Sequence, residues 1–418
     1  MVDRRIRNFM LFSAAIALSA CSNAAATNPT IPDSASPAVT QQTSEPAITV
    51  PGPKTDTAQR SGPPATESTA QPALDTVYNH TAPTDMSPAV ANARPLVYVP
   101  SNDDGSVTVI DQATLQVVAH YHVGKLVQHV VADWDMKTLY ATVSDSNALV
   151  RIDPTTGQRT TSIKVAAPYN LYFTPDGTTA LVVAERLDRI DYYDRTTWKK
   201  VRSTPTKPCR GVNHVDWSAD GSFFLAACEF SGDLLKIETA TGAILSSIHL
   251  AEGAMPQDVR LAPDGTKFYT ADMEHGCVWI VDGAATQVIG SIETGVGPHG
   301  IYPSRDGRLM YVTNRGRLMH DVRRRSHDGD GSISVIDPTT DTVTATWQIP
   351  GGGSPDMGGV SADGTKLWVS GRYDAEVYVF DTTTGDLAAR IPVPAGPHGL
   401  NVFPQPGRYS LGHTDSYR

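Results

Sequence analysis

Seven residue pairs recur at equivalent positions along the chain and carry most of its capacity for chemistry. They are Gln128-His129, Tyr169-Asn170, Asn213-His214, Gln257-Asp258, His299-Gly300, Asp356-Met357 and His398-Gly399. Imidazoles and carboxylates in such a set offer proton transfer or ligation, while the amides and the phenol offer oriented hydrogen bonds. A second set, Glu185, Glu229, Arg315 and Arg372, places carboxylates on two successive segments and guanidiniums on two others. Opposed charges of this kind can orient a polar or zwitterionic ligand. The four histidines come from separate segments and lack the close spacing of a metal-binding motif, so no metal is predicted.

These residues need a scaffold that brings distant segments together, and the chain carries its signature. An apolar, β-branched strand runs into an acidic residue and a tight turn at Asp111, Asp153, Asp194, Glu238, Asp282, Asp337 and Asp381, with steps of 42, 41, 44, 44, 55 and 44 residues. A period of about 40 to 45 residues corresponds to one four-stranded propeller blade. The fold class is therefore all-β, a seven-bladed propeller of four-stranded antiparallel blades. Hairpin turns such as Ser218-Ala219-Asp220-Gly221 and Ala262-Pro263-Asp264-Gly265 recur within each repeat. Gly supplies the positive φ, and Asp accepts hydrogen bonds from its own turn. The first repeat begins at a second strand, so Gly399–Phe403 is expected to supply its innermost strand and close the ring.

The segment Tyr311-Val312-Thr313-Asn314 spells the signature of the YVTN β-propeller repeat, and Tyr98-Val99, Phe268-Tyr269-Thr270 and Leu367-Trp368-Val369 are variants of it. The chain resembles that family over about three-quarters of its length. Such propellers also resemble seven-bladed lactonases and the haem domain of dissimilatory nitrite reductases. The resemblance implies the fold and leaves several functions open.

Each strand crosses the disc, so the tight turns all fall on one face and the irregular loops on the other. The seven pairs and the four charged residues belong to the irregular face, around the mouth of the central channel. The 55-residue step adds an insertion there, with Arg323, Arg324, Arg325, His327 and Asp328 as a candidate lid or docking loop. Cys209 and Cys228 flank one hairpin on the same face, where they form either a disulfide or two buried thiols.

The N-terminus reads as an export signal over residues 1–20, charged and then apolar. It ends in Leu18-Ser19-Ala20-Cys21, which resembles a bacterial lipobox and implies lipidation of Cys21. Residues 21–93 are rich in Ala, Thr, Ser and Pro, as expected of a disordered tether. The propeller is expected over 94–405, with a C-terminal tail at 406–418. A formal charge of −10 argues against nucleic acid as a partner. Gly-x-Ser-x-Gly, His-Glu-x-x-His and Cys-x-x-Cys-His motifs are absent from the sequence, no catalytic residue is assigned, and no cofactor is predicted. The sequence thus points to a monomeric exported lipoprotein that binds a small polar ligand or an envelope protein. A lactonase-like hydrolase and a redox or cofactor-binding propeller are the alternatives.

Overall fold

The computed structural model describes residues 78–316, 331–413 and 415–418. Its strands form seven four-stranded antiparallel sheets, one per repeat. Within each sheet the strand nearest the axis is fully buried, as in Val127–Ala132, Val212–Trp217 and Pro256–Leu261, while the outermost is largely exposed, as in Val117–His122 and Lys200–Pro205. This gradient explains the sequence. The middle strands, such as Phe223–Cys228 and Cys277–Asp282, read as apolar runs, the inner strands as apolar frames interrupted by the polar pairs, and the outer strands as mixed polar ones.

The acidic residue that marks each repeat works locally. Asp111 Oδ1 accepts from the backbone N–H of Ala113 and Thr114 at 3.1 and 2.9 Å, and Asp381 does the same for Thr383 and Thr384. These bonds hold both carboxyls below their ordinary range. The Asp-Gly turns follow the expected pattern: Asp220 Oδ1 accepts from Ser218 Oγ and from Ser222 N, with Gly221 at φ 69°. The repeated residues are thus turn chemistry.

Ring closure matches the expectation. Asn401–Phe403 pairs antiparallel with Leu96–Tyr98, so the first blade joins both ends of the propeller. The chain beyond that closing strand differs from a loose tail. Residues 405–413 and 415–418 turn back beneath the channel on the turn face and are almost entirely buried. Ser410 Oγ donates to Ala132 O, Arg305 reaches Asp415 at 2.7 Å, and Arg418 reaches Asp216 at 2.8 Å, so the segment touches successive inner strands around the ring. The expected tether also ends early. Residues 78–93 are described, and Tyr78 is buried with its ring 4.6 Å from the Arg418 guanidinium. The signal, Cys21 and the tether up to 77 lie outside the described residues, as do Arg323, Arg324, Arg325, His327 and Asp328.

Candidate functional site at the channel mouth

One irregularity in the ladder positions the site. In blades two, four, five, six and seven the pairing between the first two strands skips two residues, between Val127 and Val130, Val212 and Val215, Pro256 and Val259, Pro298 and Ile301, and Pro355 and Gly358. The skipped residues are the pairs singled out from the sequence. A bulge of this kind releases side chains from the strict in–out alternation and re-aims them, here toward the channel. Hydroxyls on the next strand fasten it: His129 N donates to Thr142 Oγ1 at 3.0 Å, Gly300 N to Thr313 Oγ1 at 2.8 Å and Met357 N to Ser370 Oγ at 3.2 Å.

The candidate residues then divide by depth. Gln128, Tyr169, Gln257, His299 and His398 line a cavity of ≈320 Å³ at the mouth, together with Glu185, Glu229, Arg315 and Arg372. All four charged residues predicted for the rim therefore face one cavity. Asn213 and Asp356 support it from behind. Asn213 Nδ2 donates to Gln257 Oε1 at 3.4 Å and to Pro256 O at 3.3 Å. His129, Asn170, His214 and Asp258 lie deeper and are fully buried. Phe230 and Tyr373 also line the mouth, and His413, from the C-terminal segment, joins the deep layer. Sequence reasoning missed these three, because they stand outside the aligned positions.

Asp356 organises one side of the mouth. Its Oδ1 accepts from Arg315 Nε at 2.7 Å, and its Oδ2 contacts His398 Nδ1 at 2.6 Å. His299 Nδ1 stands 3.4 Å from Oδ1, outside hydrogen-bond geometry. Burial raises the carboxyl, but Arg315 and the two imidazoles more than offset it and hold Asp356 well below the usual carboxylate range. His398 is lowered to about 4, chiefly by burial, so its ring is neutral at pH 7. Its Nε2 faces the Tyr169 hydroxyl at 3.3 Å.

Glu185 and Glu229 form the opposite side, with their carboxyls hydrogen bonded to each other. Burial, and then the charge of Glu229, pushes Glu185 up to about 8, and burial also raises Glu229. Glu185 therefore keeps its proton at neutral pH and can donate it within the pair. Arg372 Nη1 is buried without a hydrogen-bond partner. The mouth thus combines the Arg372 guanidinium, a carboxyl pair raised by burial and the Arg315–Asp356 ion pair.

Cys209 and Cys228 are joined in a disulfide. The bridge ties the entry of one inner strand to the end of its neighbour, immediately before Glu229. Cys277 is buried elsewhere.

A family model described as YNCE-like beta-propeller matches residues 71–408. Among solved structures, the chain is similar to a functionally unknown protein from Desulfotomaculum acetoxidans, with TM-score 0.59 and 15% identity over 72% of this chain and 98% of that one. It is also similar to the dihydro-heme d1 dehydrogenase NirN (TM-score 0.54, 16% identity, 73% and 74% covered) and to hydrazine synthase of Kuenenia stuttgartiensis (TM-score 0.53, 18% identity, 66% and 90% covered). No curated protein matches the chain. At these identities the structural likeness shows the fold alone.

Proposed function

The chain belongs to the YNCE-like β-propeller family, and we propose that it is a ligand-binding module that takes a small polar molecule in the channel mouth. The observation that carries this reading is the convergence of Glu185, Glu229, Arg315 and Arg372 on one ≈320 Å³ cavity. Arg315 is already balanced by Asp356, so Arg372 is the guanidinium left to meet an anionic group. The Glu185–Glu229 pair meets a donor, either an ammonium or a hydroxyl. A guanidinium and a carboxyl pair on one cavity suit a ligand that carries both an anionic group and a donor, such as a zwitterion, with Tyr169, Phe230 and Tyr373 supplying aromatic walls. Export and lipidation at Cys21 extend this reading: the leader sequence and the Ala/Thr/Ser/Pro-rich segment support a propeller held at a bacterial membrane.

Thermal-shift screening and calorimetry of the purified protein against amino acids, hydroxy acids and dicarboxylates test the proposal. A ligand present at a hundredfold its Kd stabilises the fold by about 2.7 kcal/mol. Arg372→Ala and Glu229→Gln should each remove that stabilisation. The absence of any stabilising zwitterion, or equal binding by both variants, overturns it.

A hydrolytic reading has one observation in its favour. Asp356 fixes His398 by Nδ1, so a neutral Nε2 faces the cavity beside Tyr169, which is the arrangement of a general base. Lactone turnover that is lost in His398→Ala would establish it.

A further inference from the structure

From the mouth inward the channel holds five imidazoles in contact, His299 and His398 on the cavity wall and His129, His214 and His413 beneath them. Ring centroids are separated by 4.8 Å for His129 and His398, 5.5 Å for His129 and His214, 4.7 Å for His214 and His413, and 5.7 Å for His299 and His398. Buried imidazoles normally find hydrogen-bond partners, yet neither ring nitrogen of His129 has one. Asp258 Oδ1 and His413 Nε2 are also buried without a hydrogen bond, although they stand 3.2 Å apart.

Three of these side chains form a compact ligand set. One donor atom each from His214, Asp258 and His413 lies within 4.8 Å of the other two, and all three residues are buried. In a tetrahedral site with bonds of about 2.0–2.1 Å, neighbouring ligand atoms stand roughly 3.3 Å apart, close to the His413–Asp258 separation.

The surroundings are those of an oriented ligand shell. Asp258 Oδ2 is occupied, since it accepts from Ile301 N at 3.0 Å and from Arg260 Nε at 3.3 Å, which leaves Oδ1 for a ligand. The Asn170 carboxamide contacts Nδ1 of both His413 and His214, at 2.9 and 3.3 Å, and so directs their Nε2 atoms elsewhere. Outer contacts of this kind fix ring orientation at metal sites.

The geometry points to a buried transition-metal centre on the channel axis, of the zinc type, held by His214, Asp258 and His413, with the ring of His129 packed beside it. Asn170 now turns its amide nitrogen to the rings, because its oxygen accepts from Leu171 N at 2.8 Å. On metal binding the carboxamide rotates so that its oxygen accepts from Nδ1–H, at the cost of its bond from Leu171 N. The ring proton moves from Nε2 to Nδ1, Nε2 takes the metal, and no net proton leaves the imidazoles. His299 and His398 line the cavity next to this centre, the His299 ring 5.8 Å from that of His214. The centre does not depend on the ligand proposed for the mouth.

A second cluster must be separated from it. Asp104, His120 and His122 are near one another on the surface of the first blade. Metal-stripped protein should be titrated with zinc and with cobalt(II), alongside His214→Gln/His413→Gln and His120→Ala/His122→Ala variants. The expected result is one tightly held equivalent per chain, a raised Tm, and an intense tetrahedral cobalt spectrum, all kept when His120 and His122 are changed and lost when His214 and His413 are. If the interior double variant does not fold, His214→Gln alone should lower the affinity at least tenfold. Stoichiometric binding that disappears only with His120 and His122, a weak octahedral spectrum, or no binding at all overturns the proposal.

Discussion

Arg315 donates through Nε to Asp356 Oδ1 at 2.7 Å, from the loop after one blade's second strand to the inner strand of the next blade. Both side chains are buried. Removing one partner of such a pair strands the other as an uncompensated charge, at about 3–5 kcal/mol. Asp356→Ala should cost that much in urea unfolding. Because the carboxyl is held below its unfolded value of about 3.9, its contribution is present above that pH and fades as pH falls below it. The wild type should therefore lose stability more steeply than Asp356→Ala on acidification below about pH 4.

The Glu185–Glu229 pair acts in the opposite sense. A carboxyl raised by folding binds its proton more tightly in the native state, so it favours folding below its unfolded value and loses that advantage as pH rises toward its folded value. With Glu185 raised from an ordinary 4.5 to about 8, stability should decline between those values and level off above. Thermal denaturation of Glu185→Gln should show a flatter profile across that window and a higher Tm than wild type at pH 8.

The fold was legible because its cause is local. Asp111, Asp153 and their equivalents cap their own turns, and buried middle strands demand apolar runs, so period, strand order and closure all follow from short stretches of chain. The mouth was legible to the extent that counting along each blade identifies the skipped residues. Depth was not, because whether His398 lines the cavity while His129 lies beneath it depends on how seven inner strands converge on one axis. The same convergence brings together histidines that sequence spacing keeps apart: His214 and His413 are 199 residues apart in sequence, yet their rings are 4.7 Å apart. His413 carried no signal, since the segment that delivers it follows the last repeat.

Gly399 illustrates how tightly that convergence is fitted. A Cβ there would lie 2.0 Å from His129 Nδ1, and backbone on both sides leaves it no room: Val130 N donates to Gly399 O at 2.9 Å, and Gly399 N donates to Gln128 O at 3.0 Å. Gly399→Ala should displace the His129 ring and cost about 1–3 kcal/mol through overpacking. The histidine's ring-proton NMR signals should shift in that variant while the far blades keep their amide spectrum.

The disulfide should contribute mainly through the unfolded chain. Cys209 and Cys228 are separated by 19 residues, and closing a loop of that size is worth about 3 kcal/mol. Cys209→Ser/Cys228→Ser should lower stability by that amount, and reduction of the wild type should reproduce the loss.

The C-terminal segment should prove essential to the propeller rather than appended to it. Arg418 reaches Asp216 by two contacts of 2.8 and 3.0 Å, and Asp415 accepts from Arg305 while its other oxygen accepts from Val360 N. Deleting residues 406–418 would leave Arg305 and Asp216 buried without these partners and open the channel from the turn face. Arg418→Ala alone should cost about 3 kcal/mol, less than the full deletion, because Asp216 still accepts from Trp217 N and Leu261 N. Limited proteolysis and urea unfolding check the order. A deletion variant as stable as wild type would show that the channel holds its side chains without a floor.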